Sequence, residues 1–177
     1  MTRLIENTGF IDFLKLRTSY GETGNAGIGN FDWAGLWGFT RDYDGNPGAA
    51  PSQVSNNLLT WESQENFNIG LDATFLDNKI RLNVEYFERT SSDLLLDRPL
   101  SLTTGFSSVA QNIGDMENKG IEVDLSVDII QTSEAFLGLS FNTTTLNNEV
   151  TYLPEAIVGS TKKIEQGRDF QEYFLFP

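Results

Sequence analysis

The sequence predicts an all-β fold, an antiparallel transmembrane β-barrel of which this chain supplies about five to six strands. Three observations predict it. First, apolar and polar residues alternate strictly. Phe67, Ile69, Leu71, Ala73 and Phe75 stand against Asn66, Asn68, Gly70, Asp72 and Thr74, then Ile80, Leu82, Val84 and Tyr86 against Arg81, Asn83 and Glu85. That period of two belongs to a strand with one apolar and one wet face, and the tight turn Leu76-Asp77-Asn78-Lys79 joins the runs into a hairpin. Second, with Trp61 to Asn66 and Phe87 to Asp93 included, each arm reaches about 15 residues, where soluble strands cluster near about 5 or 6. Third, short turns and long connections alternate along the chain, as they do in outer-membrane barrels with short periplasmic turns and long outside loops.

Taken in order, Leu14, Leu16, Thr18 and Tyr20 alternate with Lys15, Arg17 and Ser19 in a first strand that ends at Gly21. A Gly-rich stretch runs to Asn30, and Phe31, Trp33, Trp37 and Phe39 then flank Gly35 in a loop hairpin or rim strand. Residues 42–57 are crowded with Gly, Pro, Asn and Ser, as long loops are. After the opening hairpin, Asp93 to Lys119 again reads as loop, with Pro99, Gly105 and Gly114. Next, Ile121, Val123, Leu125, Val127 and Ile129 alternate with Glu122, Asp124, Ser126 and Asp128, and β-branched residues dominate the apolar face. A turn near Thr132-Ser133-Glu134 leads to Leu137, Leu139 and Phe141 against Gly138, Ser140 and Asn142, a pattern that fades by Asn148. From Tyr152 onward no period is sustained.

Geometry supports a membrane band. Phe67 to Phe75 rises about 26 Å along a strand, or about 20 Å along the membrane normal at a tilt of about 40°, near the apolar height of about 25 Å in such barrels. Phe75 and Tyr86 fall where aromatic girdles belong. The opposite face, Glu62, Gln64, Asn66, Asn68, Asp72, Arg81, Asn83, Glu85, Glu122, Asp124 and Asp128, would line a wet interior.

Composition narrows the function. Twelve Lys and Arg against 25 Asp and Glu give a net charge of −13 over 177 residues, the wrong sign for neutralising phosphates, so no nucleic-acid partner is expected. Cys and His are both absent, which removes disulfides, thiolate or imidazole metal sites, and His-based catalysis. No cofactor is expected and no enzyme activity. No stretch matches a membrane helix and Met1 to Phe10 does not read as a signal peptide. A mean hydropathy of −0.27 is nonetheless compatible with a barrel, whose apolar residues occupy every second position.

Few residues suggest chemistry. Asp42, Asp44 and Asn46 alternate as calcium-loop ligands do, but the Gly is misplaced and no downstream Glu closes the site; a loop turn is the simpler reading. Gly24, Gly27 and Gly29 lack the flanking strand and helix of a phosphate loop. Acidic pairs such as Asp115/Glu117 and Glu122/Asp124 read as lumen wall before they read as the acid and base of a glycosidase. The substrate-contact candidates are the loop aromatics Trp33, Trp37, Phe39 and Tyr43 and the lumen-facing Asn68, Asp72, Arg81, Glu85, Glu122 and Asp124.

Several spaced motifs carry a family resemblance. Leu14-Lys15-Leu16-Arg17-Thr18-Ser19-Tyr20-Gly21 with Thr23-Gly24-Asn25 resembles the LKLRxSYGxTGN signature of SusC/RagA-type TonB-dependent outer-membrane transporters. Leu59-Thr60-Trp61-Glu62 with Phe67-Asn68-Ile69-Gly70-Leu71-Asp72, then Asp93-Leu94-Leu95-Leu96, are similar to later family segments in family order. So are Thr104-Gly105-Phe106, Asn112-Ile113-Gly114 and Asn118-Lys119-Gly120-Ile121-Glu122. The resemblance implies a barrel of about 22 strands, a plug displaced through the TonB energy-coupling complex, a capping SusD-like surface lipoprotein, and import of glycans or oligopeptides. It places the protein among outer-membrane lipids of a Gram-negative bacterium. Residues 1–177 would be part of the barrel domain, without plug, TonB box or signal peptide. A passive porin-like channel and a secreted all-β glycan-binding module are the rival expectations.

Overall fold

The computed structural model describes residues 2–6 and 9–174; the side chains of residues 2–6, Thr40 and Tyr43 lie outside the described set. Among the described residues there is no α-helix, only one 3-10 turn, Leu102–Thr104. The chain is β throughout. Its strands are β1 (Thr2–Glu6), β2 (Ile11–Asn25), β3 (Leu36–Tyr43), β4 (Asn46–Gln53), β5 (Glu62–Phe75), β6 (Ile80–Ser92), β7 (Leu95–Pro99), β8 (Ser108–Asn112), β9 (Asp115–Gln131) and β10 (Phe136–Tyr152). Three very short strands follow, β11 (Ile157–Val158), β12 (Lys162–Ile164) and β13 (Glu172–Tyr173).

A six-stranded sheet in the order β1-β2-β5-β6-β9-β10 carries all the long strands. The pairs β3-β4 and β7-β8 form separate two-stranded hairpins, and β11-β12-β13 form a small sheet. The expected long staves are therefore present at 13 to 17 residues each. Several boundaries differ from the sequence reading. β2 runs past Gly21 to Asn25, β9 begins at Asp115 rather than near Ile121, and β10 continues through Tyr152. In each case the strand outruns its apolar stripe, so alternation marks the greasy band and not the whole stave. β1, which the alternation did not reveal, pairs antiparallel with β2 through Arg3↔Lys15 and Glu6↔Phe13. The supposed loop 93–119 holds the β7-β8 hairpin in regular register, Leu95↔Asn112 to Pro99↔Ser108.

Two compact units make up the chain. The first comprises Met1–Glu22, Glu65–Thr90 and Glu117–Asn148. Here the short turn after β5 places Leu76, Asp77 and Asn78 at φ 57°, 57° and 63°. Asp and Asn tolerate this left-handed region better than most residues. The turn is stitched on both sides: Leu76 N–H donates to the Phe10 carbonyl at 3.2 Å, Asn78 N–H to the Asp12 carboxylate at 2.9 Å, and Asp128 N–H to the Lys79 carbonyl at 2.8 Å. The Phe10 and Phe75 rings meet beside it, 5.5 Å between centroids.

The second unit comprises Thr23–Gln64, Ser91–Met116 and Glu149–Pro177. It contains the long connections, and side chains hold their ends together. The Glu62 carboxylate accepts the Leu95 N–H at 2.7 Å and the Asn25 amide at 3.0 Å. The Asn112 amide donates to the carbonyls of Thr60 and Asp93, both at 3.0 Å, while its oxygen accepts the Thr60 N–H at 2.8 Å. Extended segments far apart in sequence are thus anchored by two polar side chains.

Candidate functional site

Strand pleating in the first unit sends alternate residues to opposite faces, and the polar set falls on one of them. Arg17 on β2 donates to Asp72 on β5 and pairs with Glu85 on β6, at 3.0 Å and 2.9 Å. Lys15 lies 3.4 Å from the same Asp72, and the Asn83 amide donates to it as well. Farther along the sheet, Arg81 forms a two-pronged pair with Asp128 on β9, at 2.7 and 2.9 Å. Asn68 donates to the Ser19 hydroxyl at 3.2 Å, and Ser126 and Ser140 share a hydrogen bond of the same length. Of the predicted lumen-facing residues, Asp72 and Glu85 are joined through Arg17, while Asn68 and Arg81 pair separately with Ser19 and Asp128. The side chains of Glu122 and Asp124 have no ion-pair or hydrogen-bond partner among the described residues. Lys15, Arg17 and Ser19 share in this surface although only their alternation hinted at it; their parity with Leu14, Leu16 and Thr18 was the available signal.

On this sheet several apolar side chains are more exposed than ion-paired charged ones, although Ala73 and Phe87 are buried at 2% and 5%. The Asp128 side chain is 10% exposed, whereas the apolar Ile121 and Phe141 are 46% and 60% exposed. Lys15 and Glu85 are likewise largely covered. In water the opposite arrangement is the stable one, since exposed apolar area is unfavourable by about 25 cal/mol per Å². Ion-paired charges on one face and exposed apolar side chains on the other fit a wall with water inside and hydrocarbon outside.

Glycines set the spacing of that wall at two points. A Cβ on Gly70 would come within 2.8 Å of the Arg17 guanidinium, which passes over this position on its way to Glu85. A Cβ on Gly120 would overlap the Thr145 carbonyl oxygen and approach the buried Phe87 ring to 2.8 Å. Phe87 in turn carries the Arg89 guanidinium over its face, 5.1 Å from the ring centroid.

In the second unit, the aromatic candidates sit on and before the β3-β4 hairpin. Trp33, Trp37 and Phe39 are 51%, 62% and 77% exposed, and no ring contact joins them among the described residues. The Tyr43 side chain lies outside the described residues. The loop carrying Trp33 is fixed by Gln53, whose amide donates to the carbonyls of Phe31 and Ala34 at 2.8 and 2.9 Å. Asp42, Asp44 and Asn46 are accounted for by a hairpin turn: Asp44 and Gly45 have φ 49° and 76°, Tyr43 pairs with Asn46, and Asp42 pairs with Pro47. That is the Asp-Gly turn whose twist suits a two-residue hairpin. The described residues hold no cluster of three or more acidic side chains able to bind a metal.

Outside the long strands, Lys163 and Glu165 pair at 2.6 Å. The hydrogen bond from Lys163 holds the Glu165 carboxyl below the usual carboxylate range, with the attraction of the same ammonium adding to it.

Comparison with known proteins agrees with this geometry. The family model described as TonB dependent receptor-like, beta-barrel matches residues 7–171. TonB-dependent receptor P39 of Formosa agariphila is 36% identical over 151 residues, 85% of this chain and 14% of that protein. TonB-dependent receptor SusC of Bacteroides thetaiotaomicron is 31% identical over 157 residues, 84% of this chain and 16% of that protein. Among solved structures, the RagAB peptide transporter superimposes with a TM-score of 0.85 at 30% identity, covering 96% of this chain and 19% of the matched chain. The chain thus spans less than a fifth of the relatives it matches.

Proposed function

We propose, because this chain belongs to the TonB dependent receptor-like β-barrel family, that it is wall and loop of an energy-coupled importer in the outer membrane of a Gram-negative bacterium. The relatives are receptors and transporters, from Formosa agariphila and Bacteroides thetaiotaomicron among others. The observation that carries the reading is the exposed apolar side of the six-stranded sheet, with Ile121, Leu139 and Phe141 bare, beside the ion pairs Arg17–Glu85 and Arg81–Asp128.

In this reading Asn68, Asp72, Arg81, Glu85, Glu122 and Asp124 line the passage, and Trp33, Trp37, Phe39 and Tyr43 present aromatic surface to the cargo outside the cell. The cargo is a glycan or an oligopeptide, moved without bond chemistry. A SusD-like surface lipoprotein captures it, and TonB supplies the energy. One structural relative is named as a peptide transporter.

The test is uptake of fluorescent oligosaccharides and oligopeptides by cells carrying the full-length gene, with and without TonB. Loss of uptake on TonB removal supports active import. Uptake that persists without TonB identifies a passive channel instead.

A further inference from the structure

In the first unit, the apolar side of the sheet changes character at the end remote from the turn at 76–79. Leu16 on β2, Phe67 on β5 and Ile121 on β9 are exposed at 45%, 39% and 46%. Beyond them on the same faces come Tyr20, Glu65, and the pair Lys119 and Glu117, while Tyr86 and Glu88 follow Val84 on β6. Each stands two or four residues from an apolar neighbour, so pleating puts it on the apolar side. Tyr suits such a boundary because its ring sits against hydrocarbon while its hydroxyl reaches polar headgroups. Here both hydroxyls are already taken. Tyr20 donates to the Glu65 carboxylate at 3.2 Å, and Tyr86 donates to that of Glu88 at 2.9 Å. A phenol has one proton to give, so neither ring keeps a donor for a lipid phosphate. Lys119, within electrostatic reach of Glu88, is paired with Glu117.

What this rim offers is acceptor capacity and negative charge. A carboxylate has about four lone-pair sites, and a phenol occupies only one of them. We propose that the rim selects membrane lipids whose headgroup ends in a primary ammonium, as phosphoethanolamine does, a proposal that rests on the reading of this sheet as outer-membrane wall. An ammonium brings three donors and a positive charge to groups that only accept. A phosphate without an amine brings further acceptors and like charge, and a trimethylammonium brings charge without a donor. Docking is continuous with the apolar face: acyl chains lie along Leu16, Phe67 and Ile121, and the headgroup meets the carboxylates beyond them. Each contact lies at the water boundary and is weak and screened by salt. Selectivity therefore comes from repeating the arrangement on neighbouring strands.

The full-length transporter is reconstituted in nanodiscs holding phosphatidylethanolamine, phosphatidylglycerol and phosphatidylcholine in equal parts and re-extracted in mild detergent, and the retained lipid is counted by headgroup with mass spectrometry. Phosphatidylethanolamine is enriched about threefold or more over each of the others, an enrichment that high salt reduces. Glu65→Gln combined with Glu88→Gln and Glu117→Gln abolishes it. Tyr20→Phe combined with Tyr86→Phe leaves it intact, because the carboxylates remain, whereas a rim that held lipid through its phenols would lose it. Unchanged heat-modifiable mobility on gels shows that the barrel is intact, and Glu65→Gln alone, with partial loss of enrichment, serves if the triple variant fails to assemble. The proposal is overturned if either other lipid is retained as well as phosphatidylethanolamine, if the Gln variants keep the enrichment, or if the Phe variants lose it. Failure of the underlying reading looks different. Full-length protein that stays dissolved without detergent and retains no lipid removes wall and rim together, and lipid retained without headgroup preference removes the rim alone.

Discussion

Arg17 on β2 reaches Glu85 on β6 at 2.9 Å by passing over β5, and it does so where β5 carries Gly70. The Arg of the first motif and the Gly of the second are thus one device, because a side chain at 70 would stand in the path of the guanidinium. Removing Arg17 leaves Asp72 and Glu85 facing each other across a partly covered surface. Arg17→Ala is expected to lower barrel stability by about 1–2 kcal/mol, discounted from a buried pair because the guanidinium is partly solvated. Gly70→Ala asks the flexible end of Arg17 to shift and should cost less than Arg17→Ala, and the double variant little more than Arg17→Ala alone, since both act on the same contact. Unfolding of the full-length barrel in detergent, followed by heat-modifiable mobility, checks this; additive losses would show that Gly70 and Arg17 act independently.

Faces of one strand should differ sharply in tolerance. Val84 belongs to the apolar face of β6 and its neighbour Asn83 to the polar face, where its amide bonds Asp72. Val84→Arg is expected to cost about 2–4 kcal/mol at mid-band, whereas Asn83→Ser on the other face should be far milder. Quantifying full-length protein in outer-membrane fractions decides it. Equal tolerance at both positions would contradict a lipid-facing assignment.

Gly120 permits the closest backbone approach in the wall. Because any Cβ would run into the Thr145 carbonyl on β10 as well as the Phe87 ring, Gly120→Ala should separate β9 from β10 and sharply reduce assembly. Shrinking the ring with Phe87→Leu relieves only the second clash. Assembly of the double variant should therefore remain poor, which immunoblotting of outer membranes measures.

These relationships explain what the sequence could and could not reveal. Alternation located the apolar band because the pleat sends every second side chain to the same face, and it placed Asp72, Arg81 and Glu85 on a common face. It stopped short at both ends of the staves: Asp115 to Gly120 and Thr143 to Tyr152 are strand by hydrogen bonding although no apolar stripe continues there. Parity could name the face of Arg17 but not its partner, since Glu85 comes from a strand two places away in the sheet. Glu62 illustrates the same limit. Its parity suggests a lumen wall, yet its carboxylate is occupied by Asn25 and Leu95, contacts that depend on how two distant connections meet.

Glu62 is correspondingly a position where charge and geometry both matter. Glu62→Gln retains one oxygen for the Leu95 N–H but presents an amide N–H to the Asn25 donor, or the reverse after rotation. Rotation of the Asn25 amide can bring its own oxygen to that N–H, so what is lost is the charge assistance of both contacts, about 1 kcal/mol. The β7-β8 hairpin should become more susceptible to limited proteolysis, with cleavage mapping between residues 93 and 116. Unaltered cleavage would mean that Asn112 alone anchors the connection.

The Lys163–Glu165 pair gives the small β11-β12-β13 sheet a pH dependence of defined sign. Lys163 lowers the folded carboxyl below its ordinary value, so the pair stabilises the folded form fully above that ordinary value. The contribution disappears as pH falls through the lowered folded value. Glu165 is solvent-accessible, so the effect is small and fades as salt screens it. Hydrogen exchange of residues 157–173, compared between the native protein and Glu165→Gln at each pH, isolates this contribution from the intrinsic pH dependence of exchange. Protection should be greater in the native protein near neutrality, and the two should converge in acid. A difference that persists in acid, or that survives high salt unchanged, would assign the protection to backbone pairing such as Lys163↔Glu172 instead.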